Sequence, residues 1–144
     1  MGLFTQDTKV EGLKRAPLFA DLSRKDLVAL ARLAEDVEVP AGQVLCKEGT
    51  LGSEFFVIVE GKAEVKRKGR RIATSGPGDF FGEIALVEDV KRTATVTATT
   101  PLRFFVLTGP SFRRLMDTNS TVERKVLRAL ARRLTADSRD PSLA

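Results

Sequence analysis

The stretch Gly78-Asp79-Phe80-Phe81-Gly82-Glu83-Ile84-Ala85-Leu86-Val87-Glu88-Asp89-Val90-Lys91-Arg92-Thr93-Ala94-Thr95-Val96 interrupts an otherwise strand-rich middle section. Its residues predict a glycine turn, one short helix from about Glu83 to Asp89, and a return strand. A short helix set between strands presents unpaired backbone N–H groups at one end, and these donors attract an anion together with the helix dipole. Arg92 emerges just beyond, and its planar fork suits two oxygens of a phosphate. Glu83, at the opposite end, is an acceptor for ribose hydroxyls. Each element alone has an ordinary reading: a surface arginine, a dipole partner at a helix start, a turn at Gly82. Their combination in this order predicts a site for a nucleotide phosphate and ribose.

Outward from this segment the texture is short β-runs punctuated by glycine. Val37 to Val39, Gln43 to Cys46, Glu54 to Val59, Lys62 to Arg67, Arg71 to Thr74, Thr93 to Ala98 and Leu102 to Leu107 read as strands. Glu60-Gly61 and Lys68-Gly69 read as tight hairpin turns, because glycine accepts positive φ at little steric cost. The doublets Phe55-Phe56 and Phe104-Phe105 predict one ring in the core and one beneath a flanking helix. Many short strands with regular turns predict a β-barrel or jelly roll.

Helical spacing brackets this β section. Leu13, Leu18 and Phe19 precede a helix carrying Leu27, Leu30, Ala31, Leu33 and Ala34. Ser23 with Asp26 makes a capping-box-like start, and the helix is expected to end near Asp36. After Pro110, Phe112 and Leu115 begin a second helical part, where Val122, Val126, Leu127, Leu130 and Leu134 form an apolar stripe. Arg124, Arg128 and Arg132 stack along one flank of it. The tail from Asp137 is polar.

The chain has 144 residues, 42% hydrophobic and 30% charged, which suits one globular domain rather than disorder. No apolar run approaches the roughly 18 residues of a spanning helix, and no insertion into a membrane is expected. Met1-Gly2 invites a myristoylation reading, but Gln6 stands where that motif wants Ser or Thr. One cysteine, Cys46, forms no internal disulfide, which points to a cytoplasmic setting. The absence of histidine excludes His-ligated metal sites and His-dependent catalysis, and no general base stands beside a nucleophile, so the chain is not read as an enzyme. A net charge of +5 suits an anionic ligand, nucleic acid or an acidic protein surface.

From Phe81 to Val96 the pattern Phe-Gly-Glu-aliphatic-Ala-Leu, five intervening positions, and Arg-small-Ala-Thr-Val resembles the phosphate-binding cassette of the cyclic nucleotide-binding domain family. That family includes the cyclic AMP receptor protein, protein kinase A regulatory subunits and cyclic-nucleotide-gated channels. The resemblance takes in Gly42, Glu48-Gly49, Phe55 to Gly61 and Gly78-Asp79-Phe80, and runs over residues 16–136. It implies an α+β, mainly β, fold: an eight-stranded jelly-roll β-barrel with a short phosphate-binding helix, N-terminal helices and a C-terminal lid helix. The expected single domain covers 1–144, with N-terminal helices over 10–36, the barrel over 37–108 and C-terminal helices over 110–136.

The same resemblance assigns ligand contacts. Arg92 would pair with the cyclic phosphate and Glu83 with the ribose 2′-hydroxyl, aided by the Gly82 backbone. Ile84 and Ala85 would present backbone groups, and Thr93 and Ala94 a hydroxyl and an N–H. Val65, Ile72 and Ala73 match barrel positions facing the ligand and read equally as plain core. Ala131-Arg132-Arg133-Leu134 resembles the lid helix, which places base or lid contacts at Arg133, Leu134, Asp137 and Ser138. Lys91 replaces a common proline before the arginine, which frees the backbone there.

The leading expectation is a cyclic nucleotide sensor or regulatory domain. Its ligand would be cAMP, with cGMP left open by Thr93, and no cofactor is expected. Ligand binding would move the C-terminal helix and act on a protein effector in trans, since the chain stops shortly after that helix. The stripe from Val122 to Leu134 suits either a homodimer or packing on its own barrel. Two alternatives remain: a nucleic-acid module using the basic C-terminal helix, although DNA is disfavoured, and a jelly-roll interaction domain with a vestigial nucleotide site.

Overall fold

The computed structural model describes residues 6–137, with side chains through Arg132. Helix α1 (Gln6–Lys14) leads through a 3-10 turn (Pro17–Phe19) into α2 (Arg24–Leu33). Ser23 caps α2 as its spacing to Asp26 predicts, its Oγ accepting from the Asp26 N–H at 3.2 Å. The helix stops at Leu33, short of the expected Asp36, and Glu35–Val39 is already strand β1. The reason lies across the sheet. Asp36 is held by a two-point ion pair with Arg103, Nε to Oδ1 at 3.0 Å and Nη2 to Oδ2 at 2.8 Å, which requires extended backbone beside that strand.

The β section continues with β2 (Val44–Cys46), β3 (Leu51–Gly52), β4 (Glu54–Glu60), β5 (Ala63–Arg67) and β6 (Arg70–Ser75). It closes with β7 (Phe80–Phe81), β8 (Val90–Lys91), β9 (Thr95–Ala98) and β10 (Leu102–Thr108). One four-stranded sheet runs β1-β10-β4-β7, a second β2-β9-β5-β6, and β3 pairs with β8 apart from both. All of these pairings are antiparallel. The α+β, mainly β class holds. The expected eight-stranded jelly-roll β-barrel differs in detail: among the described residues there are ten strands, and the two larger sheets face one another as a sandwich that does not close. Closure needs every edge to find a partner, whereas β7 is two residues long and β6 has a neighbour on one side alone.

Two turns behave differently. Lys68 and Gly69 both take positive φ (52° and 78°), the two-residue hairpin that the sequence predicts. Glu60-Gly61 is not a hairpin, because β4 and β5 lie in different sheets. Gly61 (φ +93°) sits against the Pro101 carbonyl and Thr100 Oγ1, where a Cβ has no room, and the chain crosses from sheet to sheet there.

Strand alternation divides the core into two layers. Phe55, Val57, Phe105 and Leu107 face the helices, joining Leu13, Phe19, Leu30, Phe112, Val122 and Val126. Phe56, Ile58, Phe104 and Val106 face the opposite sheet, with Ala63, Val96 and Ala98. The phenylalanine doublets therefore split as predicted. Helices α3 (Gly109–Thr118) and α4 (Ser120–Asp137) complete the helical layer. Val122 and Val126 are fully buried, but Leu127, expected in the same stripe, is 60% exposed, because the stripe is narrower than helical spacing suggests. Asp26, buried, receives Asn119 Nδ2 at 3.4 Å and lies 3.9 Å from Lys125 Nζ, and Arg132 pairs with Asp21; these contacts fix α4 to the N-terminal helices.

Phe19 is the hinge-pin of the helical layer. Its ring lies edge-on to Phe55 at 5.7 Å and tilted against Phe112 at 5.5 Å. Phe19→Ala is expected to destabilise the fold by about 3–5 kcal/mol, as full truncation of a buried aromatic does. Urea unfolding checks it, and a loss under about 1 kcal/mol would show that the layer refills the space.

Candidate functional site

A cavity of about 470 Å³ opens between the second sheet and the segment from Phe80 to Val96. Gly82, Glu83, Ile84, Ala85, Arg92, Thr93 and Ala94, the whole expected phosphate–ribose set, line it together. The expected short helix is a 3-10 turn, Glu83–Leu86, and not a helix running to Asp89. Gly82 enters it at φ +86°, and tight bonds from Ala85 N–H to the Gly82 carbonyl and from Val87 N–H to the Ile84 carbonyl, both 3.1 Å, close it within four residues. Glu83 is buried at 4% exposure, far below the usual habit of a glutamate.

Arg92 is placed by backbone. Its Nη2 donates to the Glu54 carbonyl at 2.9 Å, and its guanidinium lies 5.8 Å from the centre of the Phe56 ring. Two glycines make room for it. A Cβ on Gly52 would overlap the guanidinium, and one on Gly82 would lie 2.6 Å from Nη1 and 2.5 Å from the Glu54 carbonyl. The main chain is held on the same spot, with Arg92 N–H to the Thr50 carbonyl and Gly49 N–H to the Arg92 carbonyl, both 2.8 Å. Lys91, standing where a proline is common, lies in β8 opposite Leu51 of β3. This pairing orders the segment in place of a ring.

The remaining expectations divide. Val65 lines the cavity half-buried, Ile72 stands at its rim 51% exposed, and Ala73 is exposed and outside the lining. Ile72 and Ala73 are thus not core, because β6 is an uncovered edge strand. The lid positions Arg133, Leu134 and Asp137 belong to α4 by backbone, their side chains lying outside the described part, and Ser138 lies outside the described residues. The lining also takes in Cys46, Arg67, Phe80, Phe81, Val90, Lys91 and Val96, none of them among the expected contacts. Arg67 was within reach, since a residue two places from Val65 shares its face of the strand. Its Nε donates to the Thr93 carbonyl at 3.1 Å and ties the cassette exit to β5.

Burial pushes the Cys46 thiol up to about 11, against the nearby Arg92 guanidinium, which pulls it down, and with Glu54 adding to the rise. The neutral thiol therefore persists across the physiological range. Alkylation at pH 8 is expected to run on the order of a hundredfold slower than for an unperturbed cysteine. Timed iodoacetamide labelling reads this, and a rate within threefold of a free thiol would place Cys46 in solvent.

The cyclic nucleotide-binding domain family matches residues 36–119. A cAMP-dependent protein kinase regulatory subunit from Eremothecium gossypii is 41% identical over 72% of this chain and 23% of its own length. A CRP-like cAMP-activated global transcriptional regulator from Mycobacterium tuberculosis is 30% identical over 86% of this chain and 58% of its own length. The chain thus spans between a quarter and three-fifths of these curated relatives. The solved N-terminal domain of a transcriptional regulator from Streptomyces coelicolor superposes with a TM-score of 0.81 at 32% identity, covering 92% of this chain and 96% of that one. With its cassette glycines, buried Glu83 and backbone-held Arg92 in one cavity, the chain belongs to the cyclic nucleotide-binding domain family.

Proposed function

We propose that this chain is a cyclic nucleotide sensor that binds cAMP in the 470 Å³ cavity and acts, without chemistry of its own, on a protein effector in trans. The observation that carries the reading is the Arg92 guanidinium, held by the Glu54 carbonyl between two glycines and presented to the cavity that Glu83 shares. A cyclic phosphate would meet the fixed cation, and a ribose 2′-hydroxyl would meet the carboxylate. The cavity falls in the roughly 300–1,000 Å³ range of small-molecule sites. The two curated relatives named above are described by cAMP, which supports that base over cGMP.

The signal would leave through the short turn. Arg113 of α3 donates Nη1 to the Leu86 carbonyl at 3.2 Å and lies 3.9 Å from Asp89. Gly109 N–H, at the start of the same helix, donates to the Ser53 carbonyl at 2.5 Å, and a Cβ on Gly109 would lie 3.0 Å from the Ala85 carbonyl. A ligand that draws the cassette inward would therefore pull on α3, and α4 follows through its packing on that helix. Binding energy would shift a population of helix positions rather than drive a reaction.

Arg92→Ala is expected to weaken cAMP binding by about 2–5 kcal/mol, roughly 30-fold or more, because a desolvated phosphate loses its paired charge. Gly52→Ala is expected to act in the same direction with Arg92 intact, by displacing the guanidinium. Calorimetric titration with unchanged melting temperature checks both. Losses under threefold in Arg92→Ala would remove it from the site.

For Glu83, the diagnostic is the sugar. The native protein is expected to bind cAMP at least about tenfold more tightly than 2′-deoxy-cAMP, and Glu83→Ala to erase that difference. Equal binding of the two nucleotides by the native protein would show that Glu83 does not read the ribose.

A further inference from the structure

The β5–β6 hairpin carries Lys66-Arg67-Lys68-Gly69-Arg70-Arg71, five cations in six residues, all of them exposed. The register worsens the crowding. Lys66 lies directly opposite Arg71, and Arg67 directly opposite Arg70. Like charges facing across a strand pair are destabilising. The structure offsets part of this: Lys66 meets Glu64 at 3.3 Å, and Arg67 spends its Nε on the Thr93 carbonyl. Glu48 Oε1 accepts from the Lys68 N–H at 2.9 Å, so that carboxylate serves the backbone of a positive-φ residue. Among the described residues, Lys68, Arg70 and Arg71 make no ion pair.

Turn chemistry does not call for these cations, since Asn-Gly would serve the same geometry. Protecting the exposed β6 edge from pairing needs a single well-placed charge rather than two like-charged cross-strand pairs. We infer that the hairpin is a docking surface for an anionic lipid bilayer. Two exposed aliphatic side chains favour a bilayer over a nucleic-acid backbone. Leu51, 70% exposed and outside the cavity lining, follows the Glu48 loop that touches the hairpin turn, and Ile72, which follows Arg71 at the cavity rim, leaves 51% of its surface exposed. Aliphatic groups beside cations suit the headgroup–acyl boundary, whereas no aromatic residue lies between 63 and 75 to stack on bases. The helical layer packs on the other sheet and holds no residue of β5 or β6, so the surface faces away from it.

Each lysine or arginine near an anionic bilayer raises affinity about fivefold. The test is co-sedimentation of the whole chain with phosphatidylcholine vesicles, with and without phosphatidylserine, beside a variant carrying Lys68→Asn, Arg70→Thr and Arg71→Thr. The native chain is expected to bind the phosphatidylserine vesicles selectively. The variant is expected to lose on the order of a hundredfold while melting no lower than the native chain at low salt. Leu51→Ser is expected to weaken vesicle binding several-fold with its salt dependence unchanged. Equal binding to neutral vesicles, retention by the triple variant, or a preference for duplex DNA at equal phosphate concentration would each overturn the proposal. A lower melting temperature in the triple variant would do so too, since the cations would then be supporting the fold.

Discussion

A guanidinium cannot pack closely against a main-chain carbonyl unless the backbones crowded around it carry no side chains. Arg92 meets that condition through Gly52 and Gly82, which flank its planar group while the Glu54 carbonyl holds it. Much of the local architecture follows. The two-residue strands β3 and β8 exist to bring Gly52 beside Arg92, and the left-handed backbone at Gly82 turns the chain under the same group. A cation so fixed has surrendered its rotamer freedom before any ligand arrives. Affinity gained on binding is then not spent on ordering it.

The fold around this point is organised by alternation on two strands. β4 and β10 each send one face toward the helices and the other toward the opposite sheet, so neither layer has a core of its own making. Such a sheet has its register strongly specified, because a one-residue slip exchanges the two sets of side chains. The cost of slippage is doubled here, since both faces are apolar.

What the amino-acid sequence discloses depends on how local the cause is. The spacing from Glu83 to Arg92, the Ser23 cap, the Lys68-Gly69 turn and the split of the phenylalanine doublets all have causes within a few residues, and all were legible. The turn at Gly61 was misread because its purpose, crossing between sheets past Pro101, depends on a contact forty residues away. The same holds for Asp36, drawn out of α2 by Arg103, and for Gly52, whose importance appears only beside Arg92. Strands of two residues carry no periodicity to read. Ile72 and Ala73 looked like core because aliphatic residues in a strand usually are, and the uncovered edge that exposes them is a property of the sheet, not of the segment.

Phe81 stacks on Phe56 at 4.8 Å beneath the Arg92 guanidinium. The residue before Phe56 in β4, Phe55, belongs to the opposite layer, where it abuts Phe19 and, through it, Phe112 of α3. Rigid plates in contact neither bend nor compress appreciably, and close-packed interiors pass strain along instead of absorbing it. A single peptide unit between Phe55 and Phe56 thus joins two stiffly packed sets of rings on opposite faces of the sheet, one beside the cavity and the other against the third helix.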